Sequence, residues 1–213
     1  MEFIYECDDV FPVDFCNRVI DKFEKSNLKF IGKTGIGFDS KKKSTDLRIY
    51  DEPEWVEEEK YFQVMIRKAM KKYETFIFKM GSPVMEISKC VMAAHIHPPQ
   101  IQRTKPGQYY HWHHDQNPEE PIWQKFTYII YLNDVEEDSG GTTEFSCGKI
   151  IQPKAGKIIF FPCTWTYYHR GKTLEKGVKY IATGGLYTRP IKEISISKRQ
   201  MEQWKYPFII SSK

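Results

Sequence analysis

Apolar side chains recur at helical spacing in two places early in the chain. Over residues 11–26, Phe15, Val19, Ile20 and Phe23 fall on one face, and Pro12 or Asp14 suits a helix start. From Trp55 to Met80, the residues Phe62, Met65, Ile66, Ala69 and Met70 form one stripe with charges opposite it. A helix of this kind packs its stripe against a sheet, and Gly81-Ser82-Pro83 ends it. Between the two, Ser44 to Tyr50 suits a strand. Residues 31–43 are Gly-rich and basic, but the Gly-Lys-Ser/Thr ending after a four-residue gap that a phosphate loop requires is missing: Gly32-Lys33-Thr34 has Asn27 where the first glycine would stand. They read as a flexible loop, a candidate for closing over a substrate, with Lys41, Lys42 and Lys43 solvated.

After Pro83 the pattern changes. Strand-like runs follow at 84–96, 100–104, 108–115, 126–133, 142–146, 157–162, 165–169 and 178–188. Turn signals separate them, among them Pro106-Gly107, Asn117-Pro118, Gly140-Gly141, Gly156 and Gly177. Many short strands without intervening helices predict a β-sandwich or barrel. The expected class is therefore α+β, mainly β: a helical N-terminal half, about 1–82, packed on an antiparallel double sheet, about 83–190. The tail at 191–213 is too mixed to assign.

At 213 residues the chain is long enough for one domain with a core that needs no staples. The net charge of +4 permits an acidic partner without arguing for one. Five cysteines are odd in number and scattered, with no Cys-x-x-Cys, and read as reduced thiols of a cytoplasmic protein. No basic region followed by an apolar run opens the chain, and no apolar stretch reaches membrane-span length.

Candidate chemistry concentrates at Tyr109-Tyr110-His111-Trp112-His113-His114-Asp115. On a strand, residues two apart face the same way, so His113 and Asp115 offer an imidazole nitrogen and a carboxylate oxygen to one point. That is two thirds of the 2-His-1-carboxylate arrangement that holds non-haem Fe(II). A surface histidine cluster is the alternative. Of six histidines, only His169 lies downstream of Asp115. Lys179 stands just inside a strand with Ile181 and Thr183 on its face. If that face is interior, the lysine needs an anion; otherwise it points to solvent. The strand from Phe126 to Asn133 puts Phe126, Tyr128, Ile130 and Leu132 on one face. Thr127, Ile129 and Tyr131 lie on the other and suit a partly polar pocket wall.

The order of these features resembles the prolyl 4-hydroxylase-like Fe(II)/2-oxoglutarate dioxygenases. Over roughly 84–188 it runs Tyr110-x-x-His113-x-Asp115, Thr127, Tyr131-Leu132-Asn133-Asp134, Gly140-Gly141-Thr142-Thr143-Glu144-Phe145, Pro153-x-x-Gly156, His169 and Lys179. The resemblance implies a double-stranded β-helix, or jelly roll, with supporting N-terminal helices. It implies His113, Asp115 and His169 as Fe(II) ligands, Lys179 as partner of the distal 2-oxoglutarate carboxylate, and Tyr131 and Thr127 in the cosubstrate pocket. Three positions depart from relatives: Gln124 where many carry arginine, Thr104 where a tyrosine is frequent, and Gly185 where a tryptophan is common.

The expected function is hydroxylation of a C–H bond with Fe(II), 2-oxoglutarate and O2, with ascorbate as a candidate reductant and succinate and CO2 as products. A prolyl residue in a peptide or protein is the expected substrate. Alternatives are a free amino acid, another side chain or a nucleobase, or a non-catalytic cupin-like metal-binding module. The arginine-rich signature of nucleic-acid-repairing relatives is missing: Arg170 has no matching arginine before Arg189.

Overall fold

The computed structural model describes residues 2–34, 40–50, 52–81, 85–116 and 124–188. The predicted loop tip at 35–39 and the tail from 189 lie outside the described residues.

Two helices match the apolar stripes. Helix α1 (Val13–Lys25) follows Pro12, carries Asp14 in its first turn and Lys22 and Lys25 in its last, and buries Phe15, Cys16, Val19 and Phe23. The charges oppose the helix dipole at each end. Helix α2 (Val56–Lys79) opens on Glu57, Glu58 and Glu59 and buries Phe62, Ile66, Ala69, Met70, Tyr73 and Ile77.

The strands are β1 (Tyr5–Cys7), β2 (Phe30–Ile31), β3 (Lys42–Lys43), β4 (Thr45–Arg48), β5 (His95–Ile96), β6 (Gln100–Thr104), β7 (Tyr109–His113), β8 (Gln124–Tyr131), β9 (Thr143–Phe145), β10 (Ile150–Ile151), β11 (Ile158–Pro162), β12 (His169–Gly171) and β13 (Lys179–Tyr187). They form an eight-stranded sheet in the order β1-β11-β8-β13-β6-β4-β2, with β5 beside β13, and a five-stranded sheet in the order β10-β9-β12-β7-β3. From β6 onward the chain alternates between the sheets, β9 and β10 sharing one visit, and every strand pairing is antiparallel. This is the expected jelly roll. Four of its strands, β1 to β4, come from the first 82 residues; β4 lies in the strand expected over Ser44 to Tyr50, and the other three fall in a half otherwise read as helical support.

Strand β8 separates two cores, as its alternation predicted. Phe126, Tyr128, Ile130 and Leu132 join the core under the helices, with Ile158, Phe160, Ala182 and Leu186. There Tyr73 of α2 lies parallel to Phe160 at 5.2 Å and edge-on to Phe126 at 5.6 Å. Ile129 and Tyr131 enter a second core with Ile4, Phe145, Ile151, Ile159 and Phe161. This second core floors the jelly roll, and the candidate ligands lie against it.

Two predicted strands are corrected. Residues 84–96, expected as a strand, contain helix α3 (Met85–Ala93) ahead of the short β5. Ser88 and Val91 are buried while Glu86, Ile87, Lys89 and Cys90 are exposed, a helical and not an alternating pattern. Residues 165–169 are not one strand either. Trp165–Tyr167 forms a 3-10 turn, and only from His169 does the chain become extended.

Candidate active site

His113 ends β7, and Asp115 lies just beyond it, its backbone N–H donating to the Cys163 carbonyl at 3.2 Å. His169 opens β12 and pairs directly across the sheet with His113. One ligating atom from each of His113, Asp115 and His169 lies within 4.8 Å of the others, and no other such group of three occurs among the described residues. His169, the one histidine downstream of Asp115, is the third member of that group. His95, on β5, and His97 sit elsewhere, the latter stacked on Tyr187 at 3.6 Å. His111 points to solvent.

Both imidazoles are aimed by their outer nitrogens. His113 Nδ1 lies 2.7 Å from the His111 carbonyl, and His169 Nδ1 lies 3.0 Å from the Tyr167 carbonyl. A carbonyl only accepts, so each Nδ1 carries the proton and each Nε2 presents a lone pair inward. The two Nε2 atoms face Asp115, at 3.6 Å from Oδ1 for His113 and 3.8 Å from Oδ2 for His169. Tyr110 stacks on the His113 ring at 3.5 Å, and Phe161 packs edge-on to His169 at 4.8 Å. Burial, reinforced by nearby His169, pushes the His113 pKa down to about 4, so the ring is neutral at ordinary pH. Burial alone would raise the Asp115 pKa. The neighbouring histidines and a hydrogen bond from Thr127 outweigh it, and the carboxyl titrates below its ordinary range. Two imidazoles with their Nε2 atoms turned inward and one carboxylate converging with them fit a divalent iron ion.

Lys179 shares the same cavity, of about 190 Å³. It is buried, and its ammonium donates to the Gly141 carbonyl at 2.5 Å and lies 5.6 Å from the Tyr131 ring centre. No carboxylate among the described residues pairs with it, and burial lowers its pKa to about 8. Its strand mates Ile181 and Thr183 face the cavity too, so the interior reading of that face holds. Gly141 makes the contact possible. Its φ is +69°, and a Cβ there would come within 2.8 Å of Leu174 and 3.6 Å of the Lys179 chain. The Gly140-Gly141 turn therefore brings a carbonyl to the ammonium at a point where a side chain would crowd it.

The other two predicted cosubstrate residues have more indirect positions. Tyr131 is fully buried and donates to Thr143 Oγ1 at 2.7 Å, and Thr143 lines the cavity. Thr127 lines the cavity as well, but its hydroxyl donates to Asp115 Oδ2 at 2.5 Å.

The residue that sequence reasoning missed is Lys42. Its run looked solvated, yet Lys42 lines the cavity at 6% exposure. Its ammonium pairs with fully buried Asp46 at 2.7 Å and lies 5.1 Å from the ring centre of Tyr110. Ser44 and Gln100 each donate to Asp46 at 2.7 Å. Asp46, four residues on in a predicted strand, was the available signal.

A larger cavity of about 670 Å³, lined by Phe3, Phe126, Phe145, Pro162 and Tyr167, contains no cluster of ligating groups.

Comparison with known proteins agrees with this geometry. A model of the 2OG-Fe(II) oxygenase superfamily matches residues 99–187, the span holding the triad and Lys179. No curated protein matches the sequence. Among solved structures, the fold resembles a viral collagen prolyl hydroxylase from Paramecium Bursaria Chlorella virus-1 in complex with 2OG: TM-score 0.63, 23% identity, covering 88% of this chain and 97% of that one. It also resembles a prolyl hydroxylase from Trichoplax adhaerens bound to a hypoxia inducible factor peptide: TM-score 0.67, 14% identity, 92% and 88% coverage. A prolyl-4-hydroxylase of Pseudomonas putida is similar at TM-score 0.60 and 14% identity, covering 89% and 95%. The jelly roll that carries His113, Asp115 and His169 thus has a fold like that of the prolyl hydroxylases, and the stretch that holds these residues matches the 2OG-Fe(II) oxygenase superfamily model.

Proposed function

We propose that this 2-oxoglutarate-dependent dioxygenase hydroxylates a prolyl residue in a peptide or protein, with His113, Asp115 and His169 holding Fe(II) and Lys179 holding the cosubstrate. The observation that carries the reading is Lys179: a buried cation with no carboxylate partner among the described residues, in one cavity with the triad. A buried ammonium is costly without an anion, and the distal carboxylate of 2-oxoglutarate supplies one. The Fe(II) so held supplies, with 2-oxoglutarate and O2, the oxidative decarboxylation and C–H hydroxylation; ascorbate serves as reductant. The protein's own part is positional. The carbonyls of His111 and Tyr167 fix both imidazoles, and strands of the two sheets wall the cavity. Thr143, backed by Tyr131, lines the same cavity as Lys179.

The prolyl substrate is supported by the fold shared with the prolyl hydroxylases. In this reading the whole chain serves as one domain, acting on a peptide in the cytoplasm. None of the described helices is long and apolar enough to cross a membrane, and Cys7, Cys16, Cys90, Cys147 and Cys163 are all free.

The test is succinate formation from 2-oxoglutarate by protein reconstituted anaerobically with Fe(II), then exposed to O2 with and without a library of proline-containing peptides. Peptide-stimulated turnover with oxygen added at proline, located by mass spectrometry, is the expected result. Slow uncoupled turnover with no stimulation would keep the oxygenase and discard these substrates. No turnover and no 2-oxoglutarate binding in folded, iron-loaded protein would favour the binding-module alternative.

A further inference from the structure

Behind Asp115 runs a continuous hydrogen-bonded chain. Tyr187 Oη donates to Gln124 Oε1 at 2.8 Å, Gln124 Nε2 donates to Thr127 Oγ1 at 3.0 Å, and Thr127 Oγ1 donates to Asp115 Oδ2 at 2.5 Å. Each group is used in one sense only. A hydroxyl has one proton, so once Thr127 gives it to Asp115 it must accept from behind, and only the amide NH2 of Gln124 can donate there. The Gln124 carbonyl is then left to accept from Tyr187. The tyrosine ring is itself clamped face to face on His97 at 3.6 Å and 3°.

The fold builds this chain where β8 meets β13. Thr127 stands opposite Gly185, and Gln124 opposite Tyr187, with a register irregularity between Leu186 and Tyr187. Such an irregularity re-aims side chains locally. Gly185 leaves the room. A Cβ there would lie 2.4 Å from Tyr187 Cε2, 2.8 Å from Gln124 Cδ and 3.0 Å from Gln124 Nε2. Two of the departures noted in the sequence, Gln124 and Gly185, are therefore one structural feature: the missing side chain at 185 provides the space in which Gln124 and Tyr187 meet.

We infer that Gln124, backed by Tyr187, is a positioning residue for the carboxylate ligand: through Thr127 it ties up Asp115 Oδ2 and presents Oδ1 to the metal. This rests on the reading of the triad as the iron site. The chain is neutral throughout, so the carboxylate's negative charge is left for the cation it faces. Hydrogen-bonded partners behind a ligand of this kind are typically worth about 10–100-fold in metal affinity.

The test uses the full chain, with Co(II) as a spectroscopic probe of the site, and reads the dissociation constant, the visible absorption of bound Co(II) and the melting temperature of the metal-free protein. Gln124→Leu is expected to weaken Co(II) binding by about 10-fold, to change the absorption bands, and to leave the metal-free melting temperature close to wild type. Gln124→Glu, of nearly equal volume, offers Thr127 a competing acceptor and draws its proton from Asp115. It is expected to reproduce the change in both affinity and spectrum. Tyr187→Phe should act in the same direction but more weakly, and Gln124→Leu with Tyr187→Phe should be no worse than Gln124→Leu alone, because both act through one path. Co(II) affinity and spectrum unchanged in both Gln124 variants would overturn the proposal. If Gln124→Leu does not fold, Gln124→Glu and Tyr187→Phe decide it by the same readouts. Wild-type protein that binds no Co(II) or Fe(II) would instead sink the iron-site reading on which the proposal stands.

Discussion

The Lys179 ammonium donates to the carbonyl of Gly141, a contact between a buried cation and a neutral dipole, with no carboxylate partner among the described residues. Lys179→Ala should therefore act chiefly on the cosubstrate. Removing the cation strands the incoming carboxylate, which costs on the order of 2–5 kcal/mol of binding. The expected outcome is a sharply raised 2-oxoglutarate requirement with Co(II) affinity unchanged. Wild-type behaviour at limiting 2-oxoglutarate would remove Lys179 from the assigned role.

In its proposed role the same lysine should make cosubstrate binding pH-dependent. Its pKa stands at about 8, below the ordinary 10.5, because burial penalises the charged form. The bound carboxylate favours that form, so binding near and above pH 8 takes up a proton, and 2-oxoglutarate affinity falls as pH rises through that value. Without cosubstrate the sign reverses. The unfolded chain holds the proton more tightly between pH 8 and 10.5, so this group's contribution to stability rises with pH across that interval. Calorimetric titration of 2-oxoglutarate in buffers of different ionisation enthalpy would detect the proton uptake.

Asp115→Ala and His169→Ala remove the proposed ligands, and only His169→Ala also trims a contact with the second core, at Phe145 and Phe161. Both should lose metal binding and turnover while the circular dichroism spectrum of the metal-free protein is kept. Retained stoichiometric Fe(II) in either variant, read by elemental analysis, would contradict the ligand assignment.

Lys42 and Asp46 form a buried ion pair, with side-chain exposures of 4% and 0%. Breaking such a pair from one side costs about 3–5 kcal/mol, because the remaining charge is buried without compensation. Lys42→Met should therefore unfold at markedly lower denaturant, and Lys42→Met with Asp46→Asn should recover part of the loss. Equal midpoints for the single and double variants would show that the buried charge is not what matters.

Tyr73 joins α2 to the eight-stranded sheet through Phe160 and Phe126, and its hydroxyl donates to the Phe3 carbonyl at 2.9 Å. Tyr73→Ala should cost about 3–5 kcal/mol of stability. Tyr73→Phe, losing only the hydrogen bond, should cost about 1 kcal/mol. Denaturant midpoints separate the two.

What was legible in the sequence was local. The stripes of α1 and α2, the alternation of β8 and the His113-x-Asp115 spacing each depend on the pitch of one element, and each survived into the structure. Position in the chain also singled out His169 as the remaining downstream histidine.

Tertiary structure decided what depends on neighbours far away in sequence. Lys42 looks like one of three surface lysines until Asp46, Tyr110 and the cavity close around it. Helix α3 was read as a strand because its short apolar run suits either form, and only packing on α2 selects the helical period. Gln124 and Gly185 were two separate departures in the sequence, 61 positions apart (185 − 124). Antiparallel pairing of β8 with β13 made them neighbours and set Tyr187 beside them. The sequence determined which side chains were available to the site. Sheet register decided which of them touch, because hydrogen-bonded pairing between strands carries contacts that no spacing along one strand records.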